Sequence, residues 1–267
     1  MAAAKRGTAL ITGASGGIGA ELAKIFAREG FDVVLVARRK EELEKLAGEL
    51  AKSHGVTATA IAADLTKPGA ADELFAETKK RKLDVDALVN NAGFGTYGHF
   101  LELDLARELQ EIQLNVVALT HLTKLFGGPM AERKRGWILN VASTAGFQPG
   151  PLMAVYYATK AYVLSLSEAL TTELKPLGIH VTALCPGPTE SGFQSAAKMQ
   201  ESMLFKRLAV ADAASVAEQG FRGVMRGRAV VVTGMLNKMM VQSVRVTPRA
   251  VVRGLVLRMQ GRRHGGT

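Results

Sequence analysis

Two side chains four residues apart raise the first question of chemistry. In Tyr156-Tyr-Ala-Thr-Lys160 a helix would turn Tyr156 and Lys160 to the same face. A phenol ionises at about 10 and is a poor acid at neutral pH. An ammonium beside it favours the phenolate and brings proton transfer toward the working range. Such a pair also arises by chance on many amphipathic helices, so it needs company. Part of that company is a glycine turn, Thr12-Gly-Ala-Ser-Gly-Gly-Ile-Gly19, entered by an apolar run and left by a helical pattern. Gly13, Gly17, Ile18 and Gly19 would let the backbone approach a pyrophosphate, with the N–H groups and dipole of the helix start aimed at the anion. Ser15 either donates a further bond to that phosphate or is a plain turn serine.

The second strand decides which dinucleotide suits the turn. An acid at its end would bond the ribose 2′-hydroxyl of NAD, whereas arginine there accommodates the 2′-phosphate of NADP. The strand ends Val36-Ala37-Arg38-Arg39, with no acid before Glu41, which favours NADP(H) over NAD(H). The alternative is that both arginines only cap a strand end in solvent.

These residues need a scaffold, and the apolar rhythm supplies one. Strand patterns at Thr8–Ile11, Asp32–Ala37, Val56–Ala63, Val85–Asn90, Gly136–Ala142, Ile179–Cys185 and Ala229–Thr233 alternate with helical ones. The helices include a long one over about Leu105–Phe126 and another over about Met153–Leu177. Continuous apolar strands between helices predict an α/β fold, a single doubly wound Rossmann-type domain with about seven parallel strands and helices on both faces. Ligands then bind at the carboxyl ends of the strands, where Ser143 follows strand five.

Taken together, Thr-Gly-x-x-x-Gly-x-Gly, Asn90-Asn91-Ala92-Gly93, Ser143, Tyr156-x-x-x-Lys160 and Pro186-Gly187 resemble the classical short-chain dehydrogenase/reductase family, from about Gly7 to Phe193 plus the seventh strand. The resemblance implies that Tyr156 is the general acid in carbonyl reduction and the base in alcohol oxidation. It further implies that Ser143 bonds the substrate oxygen, that Lys160 bonds the nicotinamide ribose, and that Asn115 holds a relay water. Asp64 and Leu65 would meet the adenine, Asn91, Ala92 and Gly93 would line the cofactor, and Pro186, Gly187 and Thr189 would lie beside the nicotinamide. Ser191 stands where the family often has threonine, and Tyr157 reads as packing. Dimers or tetramers through the long helices also follow from the resemblance.

Composition bounds the rest. The 267 residues are 48% hydrophobic and 22% charged, as in an ordinary globular protein. The single cysteine, Cys185, excludes an intrachain disulfide and a zinc cluster and fits a reducing, cytoplasmic compartment. The five histidines show no metal spacing, so no metal is expected. Seven of the net ten positive charges fall between Met235 and Thr267, where no acid stands, so the basicity belongs to the tail and nucleic acid is not an expected partner.

The expected organisation is residues 1–234 as the NADP-binding domain, with a lid at about 188–226, and residues 235–267 as a basic amphipathic extension. Phe193, Met199, Met203, Leu204 and Phe205, opposite Phe147, Leu152 and Met153, suit a lipophilic carbonyl or alcohol; the methionines equally suit docking of a lid helix. In the extension, Val251, Val252, Leu255, Val256 and Met259 share a face flanked by arginines. Such a helix can lie on an anionic membrane surface. Packing on the lid or a neighbouring subunit is the favoured reading. A catalytically silent NADP-binding regulator or scaffold is the alternative function, and the set Asn115, Ser143, Tyr156 and Lys160 argues against it.

Overall fold

The computed structural model describes residues 6–190 and 210–261. Seven strands form one parallel sheet: β1 (Gly7–Thr12), β2 (Phe31–Ala37), β3 (Ala58–Ala62), β4 (Val85–Asn90), β5 (Gly136–Val141), β6 (Ile179–Cys185) and β7 (Val230–Val232). Their order across the sheet is β3-β2-β1-β4-β5-β6-β7. The order reverses between β1 and β4, and an open α/β sheet offers its binding crevice at that point.

Alternate residues of each strand face opposite layers. Ala9 and Ile11 join the core shared with α1 (Gly17–Arg28) and α2 (Lys40–His54), while Leu10 joins the one shared with α3 (Ala70–Lys80). The long helical pattern after β4 is interrupted. It comprises α4 (Leu105–Ile112), six residues of π-helix (Gln113–Ala118) and α5 (Leu119–Glu132). The helix also outruns its expected end at Phe126, passing Gly127, Gly128 and Pro129, because Phe126 and Met130 are buried under the sheet and packing outweighs propensity there.

α6 (Ala154–Leu174) crosses the same face, and α7 (Ala213–Met225) packs on α1, with Phe221 edge-on to Phe26 at 4.9 Å. Ala213–Met225, foreseen within the lid, is thus a helix of the sheet face. The lid residues Ser191, Phe193, Met199, Met203, Leu204 and Phe205 lie outside the described residues. After β7 come α8 (Met235–Val246) and α9 (Arg249–Gln260). Among the described residues no helix is long and apolar enough to cross a membrane.

Candidate active site

The carboxyl ends of β1, β2, β4, β5 and β6 open on a cavity of about 530 Å³ that takes in almost every residue singled out from the sequence. At one end lie Gly13, Ser15, Gly17 and Ile18 of the glycine turn, with Arg38, Arg39, Asp64 and Leu65 around them. No side chain caps the start of α1, so its first amides remain available to an anion. Arg39 reaches over the turn, its Nη2 donating to Ser15 O at 2.9 Å and Ser15 Oγ at 3.1 Å, while Nη1 pairs with Glu42.

Burial pushes the Asp64 carboxyl up, but the Thr66 hydroxyl and amide and the field of Arg38 outweigh it and hold it below its usual range. A pocket end with two arginines, an uncapped helix start and a retained carboxylate fits a phosphorylated dinucleotide.

Gly19 departs from its expected role at the cofactor. It does not line the cavity: a Cβ there would sit 2.3 Å from Gly13 O and 2.4 Å from Asn91 Nδ2, so the bare glycine lets α1 approach the turn. Asn91 in turn donates to Thr12 O at 2.9 Å, and Thr12 Oγ1 accepts from the amides of Asn91 and Ala92 at 3.0 Å. Asn91, Ala92 and Gly93 therefore line the cavity on a loop tied to β1. Behind them Asn90 donates to Asn140 Oδ1 at 2.9 Å and Asn140 to Ser167 Oγ at 3.0 Å, a buried polar ladder across the sheet.

The other end of the cavity holds Ser143, Tyr156, Lys160, Pro186, Gly187 and Thr189. Ser143 Oγ accepts from the amide of Ala145 at 3.1 Å, which fixes the hydroxyl at the end of β5, and it hydrogen-bonds the Tyr156 phenol. Thr189 Oγ1 donates to Gly187 O at 2.9 Å. Lys160 lies 5.7 Å from the centroid of the Tyr156 ring and donates to Val141 O at 2.8 Å.

The expected lowering of the phenol is reversed. Burial pushes Tyr156 above its ordinary value, and the Ser143 hydrogen bond offsets this only in part. Burial also brings the Lys160 ammonium down to about 8, against the opposing field of Glu111. The same desolvation that makes lysine a weaker cation makes the phenol harder to ionise.

Asn115 lies behind the cavity wall rather than on it. It is 1% exposed, accepts from Phe94 N at 3.2 Å, and donates to Phe94 O at 2.9 Å and Thr159 Oγ1 at 3.1 Å. Its side chain is thus spent on the loop after β4, and it sits in the π-helical stretch, a local widening common at functional sites.

Several residues at the site went unremarked in the sequence. Glu111, four before Asn115, is fully buried, with Thr96 Oγ1 donating to its Oε2 at 2.9 Å. Burial pushes its carboxyl up to about 7. An acid at helical spacing from Asn115 was the available signal.

Asn237, Met240 and Met259 of the extension also line the cavity; Met259 was read only as part of an apolar face, and no local pattern placed the three at the site. Asn237 abuts Gly187, where a Cβ would lie 2.4 Å from its Nδ2. Tyr157 is more than filler: it lines the cavity and accepts a hydrogen bond from Gln260. The inner face of α9 lies on its own chain, Val252 and Val256 packing against Ala145, Met153 and Tyr157, while Val251 and Leu255 stay exposed among arginines.

A parallel sheet in this order, with a glycine turn at one end of its crevice and serine, tyrosine and lysine at the other, defines a class of dinucleotide-dependent proteins. The chain belongs to the classical short-chain dehydrogenase/reductase family: the family description "short chain dehydrogenase" matches residues 7–202.

Among curated relatives, a very-long-chain 3-oxoacyl-CoA reductase of Anas platyrhynchos is 35% identical over 184 residues, covering 67% of this chain and 58% of that one. The chain thus spans somewhat over half the length of that reductase. Among solved structures, a short-chain dehydrogenase from Sphingobium yanoikuyae in complex with NADPH is 32% identical with a TM-score of 0.80, covering 98% of both chains. A bulky-bulky ketone specific alcohol dehydrogenase from Comamonas testosteroni is 31% identical with a TM-score of 0.77, covering 99% of this chain and 98% of that one.

Proposed function

We propose that this chain is an NADP(H)-dependent oxidoreductase of the cytoplasm that interconverts an apolar ketone or aldehyde and its alcohol. The observation that carries the reading is the convergence of Ser143, Tyr156 and Lys160 on one cavity whose far end offers an uncapped helix start and two arginines. The NADPH in the Sphingobium structure supports the cofactor, with Arg38 and Arg39 holding the 2′-phosphate and Ser15 through Ile18 the pyrophosphate. Met153, Tyr157, Met240 and Met259 at the cavity support a lipophilic substrate, as do the names of the 3-oxoacyl-CoA and bulky-ketone relatives.

A nicotinamide bound in this cavity would supply the hydride. Tyr156 Oη then gives its proton to the substrate oxygen, and the Ser143 hydroxyl donates to the charge developing there. The phenol's ordinary value of about 10 already leaves it protonated at neutral pH, the form that reduction needs, and burial pushes in the same direction. Lys160, beside the ring and the Gly93 backbone, would bond the nicotinamide ribose and set positive charge near the phenol. Asn115 fixes the loop that carries Phe94.

The test is NADPH oxidation across aldehydes, ketones and 3-oxoacyl thioesters. Replacing Tyr156 by Phe should lower turnover at least about a hundredfold while NADPH binding persists. Turnover unaffected by Tyr156→Phe removes the assigned role. NADPH binding with no turnover on any substrate favours the silent regulator.

A further inference from the structure

The last helix reaches back over the cavity and ends in a clasp. Gln260 is fully buried, its Nε2 donating to Tyr157 Oη and its backbone carbonyl accepting from Tyr97 Oη. One residue of the tail thereby joins two separate walls: the loop after β4, which carries Tyr97, and α6, which carries Tyr157. Tyr157 in turn meets Tyr156 edge-on, with ring centroids 6.1 Å apart.

Among the described residues, apolar contact holds the rest of α9. Val252 and Val256 pack on Met153 and Tyr157, and among the described residues no ion pair ties α9 to the body. Thr247, in extended backbone, and Pro248 separate it from α8. Met259, next to the clasp, lines the cavity. A helix on a short extended joint, seated by two valines and fastened at its far end, can be displaced as a unit.

We propose that Gln260 is a specificity-determining residue: by fastening α9 to Tyr97 and Tyr157 it holds Met259 as the wall that limits how bulky a carbonyl substrate enters. The inference rests on the carbonyl-substrate reading above. Gln260 is buried behind the cavity and does not line it; it acts by positioning the wall.

The test compares benzophenone with cyclohexanone on the full-length protein and its Gln260→Ala variant, by NADPH oxidation and by calorimetric titration of the NADP⁺-saturated protein. The clasp predicts that Gln260→Ala raises the benzophenone-to-cyclohexanone ratio of kcat/KM about tenfold, chiefly through KM. The ratio of association constants should rise in parallel, and tryptic cleavage at Arg253 and Arg258 should quicken. Removal of residues 249–267 should shift the ratio further in the same direction. A ratio within twofold of wild type, or one that falls, overturns the proposal. If wild type binds both ketones without oxidising NADPH, the redox reading fails while the association constants still decide the clasp. Binding of neither ketone overturns both.

Discussion

Glu111 lies one helical turn before Asn115 with Thr96 on one carboxyl oxygen and, among the described residues, no hydrogen-bond partner on the other. Burial raises its pKa from 4.5 to about 7, opposed by the Thr96 hydrogen bonds and the field of Lys160 and reinforced by that of Glu108. A folded pKa above the unfolded one means that the fold favours the protonated carboxyl. That contribution is fully present below pH 4.5 and lost as the pH rises through about 7. The loss is at most about 3 kcal/mol. Glu111→Gln keeps the shape without the charge, so its melting temperature relative to wild type should rise from pH 5 to pH 8; a pH-independent difference would refute the burial argument. Arg38 and Arg39 give a second residue-scale prediction. Replacing both by Ala should raise the KM for NADPH at least about tenfold, as expected for lost hydrogen bonds to a charged group, and leave that for NADH within about threefold. Equal losses for both cofactors would detach the arginines from the 2′-phosphate.

At the scale of elements, the contact between α1 and the glycine turn fixes where the first amides of α1 sit. Gly19→Ala would drive a methyl into the carbonyl of Gly13, a backbone atom that cannot move aside cheaply. Urea unfolding should show a loss of about 1–3 kcal/mol together with weaker NADPH binding. Gly48, on the exposed side of α2 with nothing within 4 Å of its would-be Cβ, supplies the opposite sign. Gly48→Ala should stabilise by about 0.5–1 kcal/mol. If both substitutions moved stability alike, close approach would not be what Gly19 provides. The π-helical stretch belongs to this scale too. Asn115 was legible as a mid-helix oddity, but its bonds to Phe94 and Thr159, 21 and 44 residues away, were not.

For the whole molecule, Leu105, Leu109, Ile112, Val117 and Tyr162 leave apolar surface exposed along α4, the π-helical stretch and α6. Where such side chains form one patch, the patch marks a contact. The protein is expected to sediment as a dimer or tetramer, and the double change Leu109→Glu with Val117→Glu to shift it toward monomer. A wild-type monomer at micromolar concentration would sink that assembly. Much of the architecture was written locally. Strand and helix follow from apolar period and from glycines at fixed offsets, and Tyr156 and Lys160 share a face because a helix repeats every 3.6 residues. Neighbours along the chain therefore announced the sheet, the turn and the tyrosine–lysine pair. Tertiary structure decided what depends on distant partners. Desolvation sums over every group packed around a side chain, and it turned Tyr156 upward where its lysine neighbour alone argued for a fall. Likewise Gln260 became a clasp only because folding carried it across 103 residues to Tyr157 and 163 to Tyr97. No periodicity within the tail encodes either meeting, since each is set by where the sheet places the other wall.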